Sequence, residues 1–202
     1  MIPFQKIIAW FLIGLLSFEV IFRVPFSISD VAALESEDHE DIVSLLVEED
    51  LFRKMSSDID AYARRVQARL PHTRAVILTF PRDAHPYVIA SANERLYFSG
   101  LPDHGNKTQK LVGTILIGHL PIPVVHKDNT SFLSLFPYTD FDEPHFFWNW
   151  DTSRYEFLSQ KKEDPRPDIW HSVISPNTGN IDTDVTKIRG FFARVYEYDD
   201  KK

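Results

Sequence analysis

Cysteine is absent from all 202 residues. The chain therefore has no disulfide, no thiolate metal centre and no thiol nucleophile of its own, and its stability comes from packing alone. Glycine is nearly as scarce, at seven residues, and none of them forms a phosphate loop. Gly113 and Gly118 lack the lysine or the third glycine that a nucleotide site requires. Serines are present, but Ser131, Ser134, Ser172 and Ser175 all stand outside the Gly-x-Ser-x-Gly elbow that strains a serine outward, which argues against a serine hydrolase. Positive charge is also short: 22 basic residues face 29 acidic ones, for a net charge of −7. No lysine or arginine stripe exists, so nucleic acid is excluded as the expected partner. There is no internal repeat and no low-complexity tract.

What the chain does have is apolar material, 44% of its residues, enough at this length for one core. The first apolar run follows Lys6 and spans residues 7–22, interrupted by Ser17 and Glu19. A basic residue ahead of such a run has the layout of an export signal. At about 1.5 Å per residue the run falls slightly short of a hydrocarbon core of about 30 Å, so a cleaved signal and a retained anchor are both open, with small-residue exits at residues 27–29 or 31–33. Glu35, Glu37, Asp38, Glu40 and Asp41 follow on the far side, which orients the body outward. The expected division is a signal peptide or membrane anchor at 1–29, an acidic tether at 30–41 and an α/β domain at 42–202, extracytoplasmic and either secreted or held at the membrane.

Within the domain the apolar period switches repeatedly. Residues 42–47 read as a strand; Leu51, Met55, Ile59, Tyr62, Val66 and Leu70 then fall at helical spacing, and Pro71 stops the helix. Residues 74–80 read as a second strand, 87–98 as a second helix ending near Gly100, and 111–117 as a third strand. This β-α-β-α-β order predicts an α/β three-layer sandwich with a mainly parallel sheet. Aromatic residues and prolines crowd residues 132–157, a pattern expected of a β excursion. Residues 169–174 then read as a strand, 176–179 as a turn, and Val185, Ile188, Phe191, Phe192, Val195 and Tyr198 as the stripe of a closing helix capped by Asp182 or Thr183.

That succession includes Gly113-Thr-Ile-Leu-Ile-Gly-His-Leu-Pro121, Pro137-Tyr-Thr-Asp140, Pro167-Asp-Ile-Trp170 and Val195-Tyr-Glu197. Over residues 42–198 it resembles the first, non-catalytic half of a gingipain-like peptidase domain. The resemblance implies a caspase-like α/β sandwich in which the catalytic histidine and cysteine lie at the ends of later strands. No catalytic residue carries over, and where that family often has Gly-Asp after the third strand this chain has Gly118-His119. The expectation is a truncated or split peptidase segment, inactive alone, with a protein partner or the remainder of the peptidase covering the edge left open at residues 169–174. The other class open to the sequence is an extracytoplasmic peptide- or glycan-binding module built on the aromatic segment.

The loops beyond the carboxyl ends of parallel strands are where ligands gather. The expected binding face is therefore residues 118–126 with 137–145, and within it His119, His126, Tyr138, Asp140, Asp142, His145 and Trp148. These residues and Glu143 match no tight metal-binding spacing. No metal or other cofactor is expected, and the loop histidines are expected to be satisfied by neighbours. Asn106-Lys-Thr108 and Asn129-Thr-Ser131 fit the N-glycosylation pattern.

Overall fold

The structure is a computed structural model that describes residues 28–29, 41–101, 109–142, 144–158 and 166–201. The apolar run at 7–22, the tether up to residue 40, the sequon at 106–108 and Glu143 lie outside the described residues. Among the described residues no helix is long and apolar enough to cross a membrane.

A short strand β1 (Ile28–Ser29) is followed by β2 (Asp41–Glu48), helix α1 (Glu49–Arg69), β3 (Thr73–Phe80), helix α2 (Pro86–Ser99) and β4 (Lys110–Ile117). Four short strands come next, β5 (Val124–Lys127), β6 (Thr130–Leu133), β7 (Phe146–Asn149) and β8 (Arg154–Phe157), with a 3-10 turn at Phe136–Tyr138 between β6 and β7. Strand β9 (Trp170–Ile174) and helix α3 (Ile181–Asp200) complete the order. The main sheet runs β1-β3-β2-β4-β9, with β2, β3, β4 and β9 all parallel and β1 antiparallel at one edge. The expected α/β class and parallel sheet are therefore what the chain forms.

Strand β2 lies at the centre and is buried on both faces, which is why its sequence is apolar without alternation. One face packs Val43, Leu45 and Val47 against Leu51, Met55 and Ile59 of α1 and Val185, Ile188 and Phe192 of α3. The other packs Ile42 and Leu46 with Val76, Leu78 and Phe80 against Ile89, Leu96 and Tyr97 of α2. Helices on both sides of the sheet make the third layer. The residues from 124 to 157 do not extend that sheet. They form a second one, ordered β6-β5-β8-β7, whose Val125, Phe146 and Tyr155 join the α2-side core.

Three local expectations shift. Asp41 is the first residue of β2, so that strand begins one residue inside the acidic stretch, and β1 places residues 28–29, expected within the signal or anchor segment, at the edge of the main sheet. Helix α3 is capped by Asn180, whose Oδ1 accepts from the Thr183 N–H at 3.0 Å, not by Asp182 or Thr183; Asn180 is the extended residue immediately outside the helix, where a cap must sit. Tyr198 points outward at 60% exposure, and Tyr196 packs inward beside Phe192 instead.

A buried polar knot fixes α2 to the sheet. Asn93 accepts from Ser44 Oγ at 2.8 Å and donates to Thr114 Oγ1 at 3.2 Å and to the Tyr138 carbonyl at 3.1 Å. All three side chains are fully buried, so every bond they make spares an unpaired polar group. The knot ties together the central strand, its neighbour, the helix and the 3-10 turn that leads to residues 139–145.

Candidate functional site at the carboxyl end of the parallel sheet

The chain leaves β2 toward α1 on one face and leaves β4 toward Leu120 and Val125 on the other. Neighbouring parallel strands with opposite exits open a crevice at their carboxyl ends, the usual ligand site of open α/β sheets. Glu48 ends β2 there, and Gly118 and His119 follow β4. Glu48 is buried at 5% exposure and its Oε2 accepts the His119 N–H at 2.7 Å. Gly118 makes this geometry possible. Its φ is +93°, and a Cβ built on it would stand 2.7 Å from Glu48 Cβ and 3.0 Å from Leu51 Cδ2. Its N–H donates to the Ile174 carbonyl at 3.0 Å, tying the exits of β4 and β9 together. His119 Nδ1 is buried with no partner among the described residues.

An aromatic cluster stands at the start of α2, on the connection that leaves β3. His85 caps α2 by accepting the Tyr87 N–H on Nδ1 at 3.2 Å. Its ring meets Trp148 edge-on at 4.6 Å between centroids, and Tyr87 lies 5.8 Å from Trp148 and 4.9 Å from Trp150. Trp148 in turn packs on Tyr155 at 5.2 Å. The indole N–H of Trp148 and the hydroxyl of Tyr155 are both buried without a partner among the described residues. Burial, with the nearby Tyr87 and Glu94 adding to it, pushes the Tyr155 hydroxyl far above its ordinary pKa, so it stays protonated and able to donate.

The residues expected to form one face divide among separate places. His119 lies at the carboxyl end of β4 beside Glu48, and Trp148 belongs to the aromatic cluster at the start of α2. Tyr138 is fully buried, its hydroxyl donating to the Pro121 carbonyl at 2.7 Å, so it braces the loop after β4 and presents no surface to a ligand. His126 points to the other side of the small sheet. It pairs with Glu156, one residue out of phase with the Trp148, Tyr155 and Val125 row, and its Nδ1 lies 2.8 Å from Ser131 Oγ. Asp140 and His145 form a dyad: one buried oxygen, Asp140 Oδ2, accepts both the His145 backbone N–H at 2.7 Å and lies 2.9 Å from its ring Nδ1. Asp142 lies at the amino end of β4, where it accepts from the Tyr97 hydroxyl at 2.5 Å and sits 3.8 Å from Lys110 Nζ. Lys110 opens that strand and His119 follows its other end, so Asp142 and His119 do not share a site.

Glu48, His85, Tyr87 and Tyr155 went unmarked by sequence reasoning. Glu48 had a usable signal, since the last residue of the central strand in such a sheet faces the crevice. The other three had none, because their meeting depends on how the second sheet docks on α2. Among the described residues no three histidine, aspartate or glutamate side chains converge as a metal site. Comparisons of the chain with protein-family models, with curated proteins and with solved structures return no match.

Proposed function

We propose that this chain is an exported domain of gingipain-like architecture that has no peptidase activity of its own and uses the carboxyl end of its parallel sheet to hold a ligand. The observations that carry the reading are the bond from the His119 N–H to the buried Glu48 at the exits of β2 and β4 and the aromatic cluster of Tyr87, Trp148 and Trp150 at the start of α2, in a chain without a thiol. A cysteine hydrolase needs a thiolate, a base within reach and oxyanion donors, and the first of these cannot be supplied here. Incubating the full chain with a library of fluorogenic peptides, with and without chelator, is expected to give no turnover. Turnover that disappears in the Glu48→Gln or His119→Ala variant would overturn the reading.

The edge of the sheet favours a second form of the proposal, in which a further polypeptide completes a peptidase. Strand β9 pairs only with β4 among the described residues, and four of its five residues are exposed, Trp170 and Val173 among them. An open strand edge of this kind is a template for pairing. A neighbouring reading frame encoding an apolar strand followed by His-Gly, and another followed by cysteine, supports that form; protection of the β9 amides from deuterium exchange when the two products are mixed confirms it. Unchanged exchange removes it.

A further inference from the structure

We infer that the seam between the first half of α2 and strands β7 and β8 binds a saccharide, with one sugar ring stacked on Trp150 and sugar hydroxyls taken up by the indole N–H of Trp148 and the hydroxyl of Tyr155. The inference deepens the ligand-binding role proposed for this face and rests on it.

The chemistry of the seam narrows the occupant. Tyr155 is 95% buried by its 5% exposure, yet its hydroxyl has no partner among the described residues, and the same holds for Trp148 Nε1 and Ser91 Oγ. Leaving such groups unpaired is costly, so a site that keeps them is one that a ligand or an ordered water completes. An indole N–H only donates, so a lone ammonium ion cannot satisfy it. An anion is disfavoured by Glu94, which lies close enough to the Tyr155 hydroxyl to raise its pKa. A hydrocarbon leaves all three groups unpaired. A neutral hydroxyl accepts and donates at one atom and meets every requirement.

Stacking supplies the rest. Trp150 is 68% exposed and stands on the connection between β7 and β8, in edge contact with Tyr87 at 4.9 Å and with Trp148 at 6.2 Å. It is the most exposed ring of the cluster, and it must swing aside for a sugar to reach the buried atoms. The C–H face of a sugar fits such a ring, while its hydroxyl edge fits the polar atoms beneath.

The test titrates the full chain with cellohexaose, chitohexaose and maltohexaose to about 10 mM, a range that reports even weak sites, while the indole N–H resonances are followed. The chain has four tryptophans, and the Trp148→Phe variant assigns the Trp148 signal. At least one oligosaccharide is expected to move the Trp148 resonance saturably. Trp150→Ala should weaken that binding roughly tenfold or more. Tyr155→Phe should weaken it while leaving the unfolding midpoint unchanged or higher, because the deleted oxygen has no partner among the described residues. No shift with any of the three sugars overturns the inference, as does unchanged affinity in Trp150→Ala. A lowered Tyr155→Phe midpoint with unchanged affinity assigns the hydroxyl to a buried water and overturns it too. Peptide turnover in the separate assay would sink the inactive-domain reading and leave a saccharide shift standing.

Discussion

Replacing Gly118 by alanine should be among the most damaging single-methyl changes in this protein, and the structure allows its cost to be taken apart. The backbone at Gly118 has φ +93°, where a side chain costs about 1–2 kcal/mol. The added Cβ would also meet Glu48 Cβ at 2.7 Å, an atom next to the backbone of the central strand that cannot swing aside. Relieving such an overlap by backbone movement costs about 1–3 kcal/mol. That movement pulls the His119 N–H from the Glu48 carboxylate, a bond to a charged group worth about 1.5–3 kcal/mol. Together the loss is about 4 kcal/mol or more, and at about 2–4 °C per kcal/mol for a domain of this size the melting midpoint should fall by at least about 8 °C. Gly179→Ala is the control. Its φ is +78° but nothing lies within 4 Å of the added Cβ, so it incurs strain alone, about 1–2 kcal/mol and about 2–8 °C. Urea unfolding with an unchanged m-value measures both variants. Equal losses for the two would refute the close approach of Gly118 to Glu48, and with it the floor of the crevice.

The polar knot predicts that Asn93→Ala costs about 2–4 kcal/mol by urea unfolding, since it strands the Tyr138 carbonyl and opens a small void, whereas Ser44→Ala costs about 1–2 kcal/mol, since it strands Asn93 Oδ1 while Asn93 keeps its bonds to Thr114 and Tyr138. Alkaline conditions should unfold the protein. Burial raises the pKa of Tyr138 and Tyr155 from 10.0, so the native state holds protons that the unfolded chain releases. The stability due to each is complete below pH 10 and falls as pH rises beyond it, by about 1.4 kcal/mol per pH unit for each tyrosine. Circular dichroism from pH 9 to 12 should show a cooperative loss, and Tyr155→Phe should move it to higher pH. Export predicts that the chain fractionates with the membrane or the extracytoplasmic compartment, and mass determination of its N-terminus distinguishes cleavage near residues 27–33 from an intact anchor. An unprocessed chain in the cytoplasm would refute export.

The order and kind of the main elements are legible in the residue pattern. Period-3.6 stripes and unbroken apolar runs record which faces are buried, and β2, β3, β4 and α1 carry that record in their own residues whatever element covers them. The sequence also shows what chemistry is missing, since a residue type absent from the chain cannot be restored by folding. It located the exit of β4 as the place to look, for Gly118 and the prolines after it show where a strand must end. Which polar residues meet depends on the folded arrangement. Asp142 and His119 are close in the sequence-based face but lie at opposite ends of β4, because residues 136–142 run back along α2, held by Asn93 and by Tyr138. His126 and Trp148 are separated by the pleat of the second sheet, and His85 and Tyr155 come together on Trp148 from three distant segments. Burial pattern is a local property that a strand or helix carries in its own residues. The convergence of side chains across a crevice depends on strand order and on how one sheet docks on another, and no single segment encodes that.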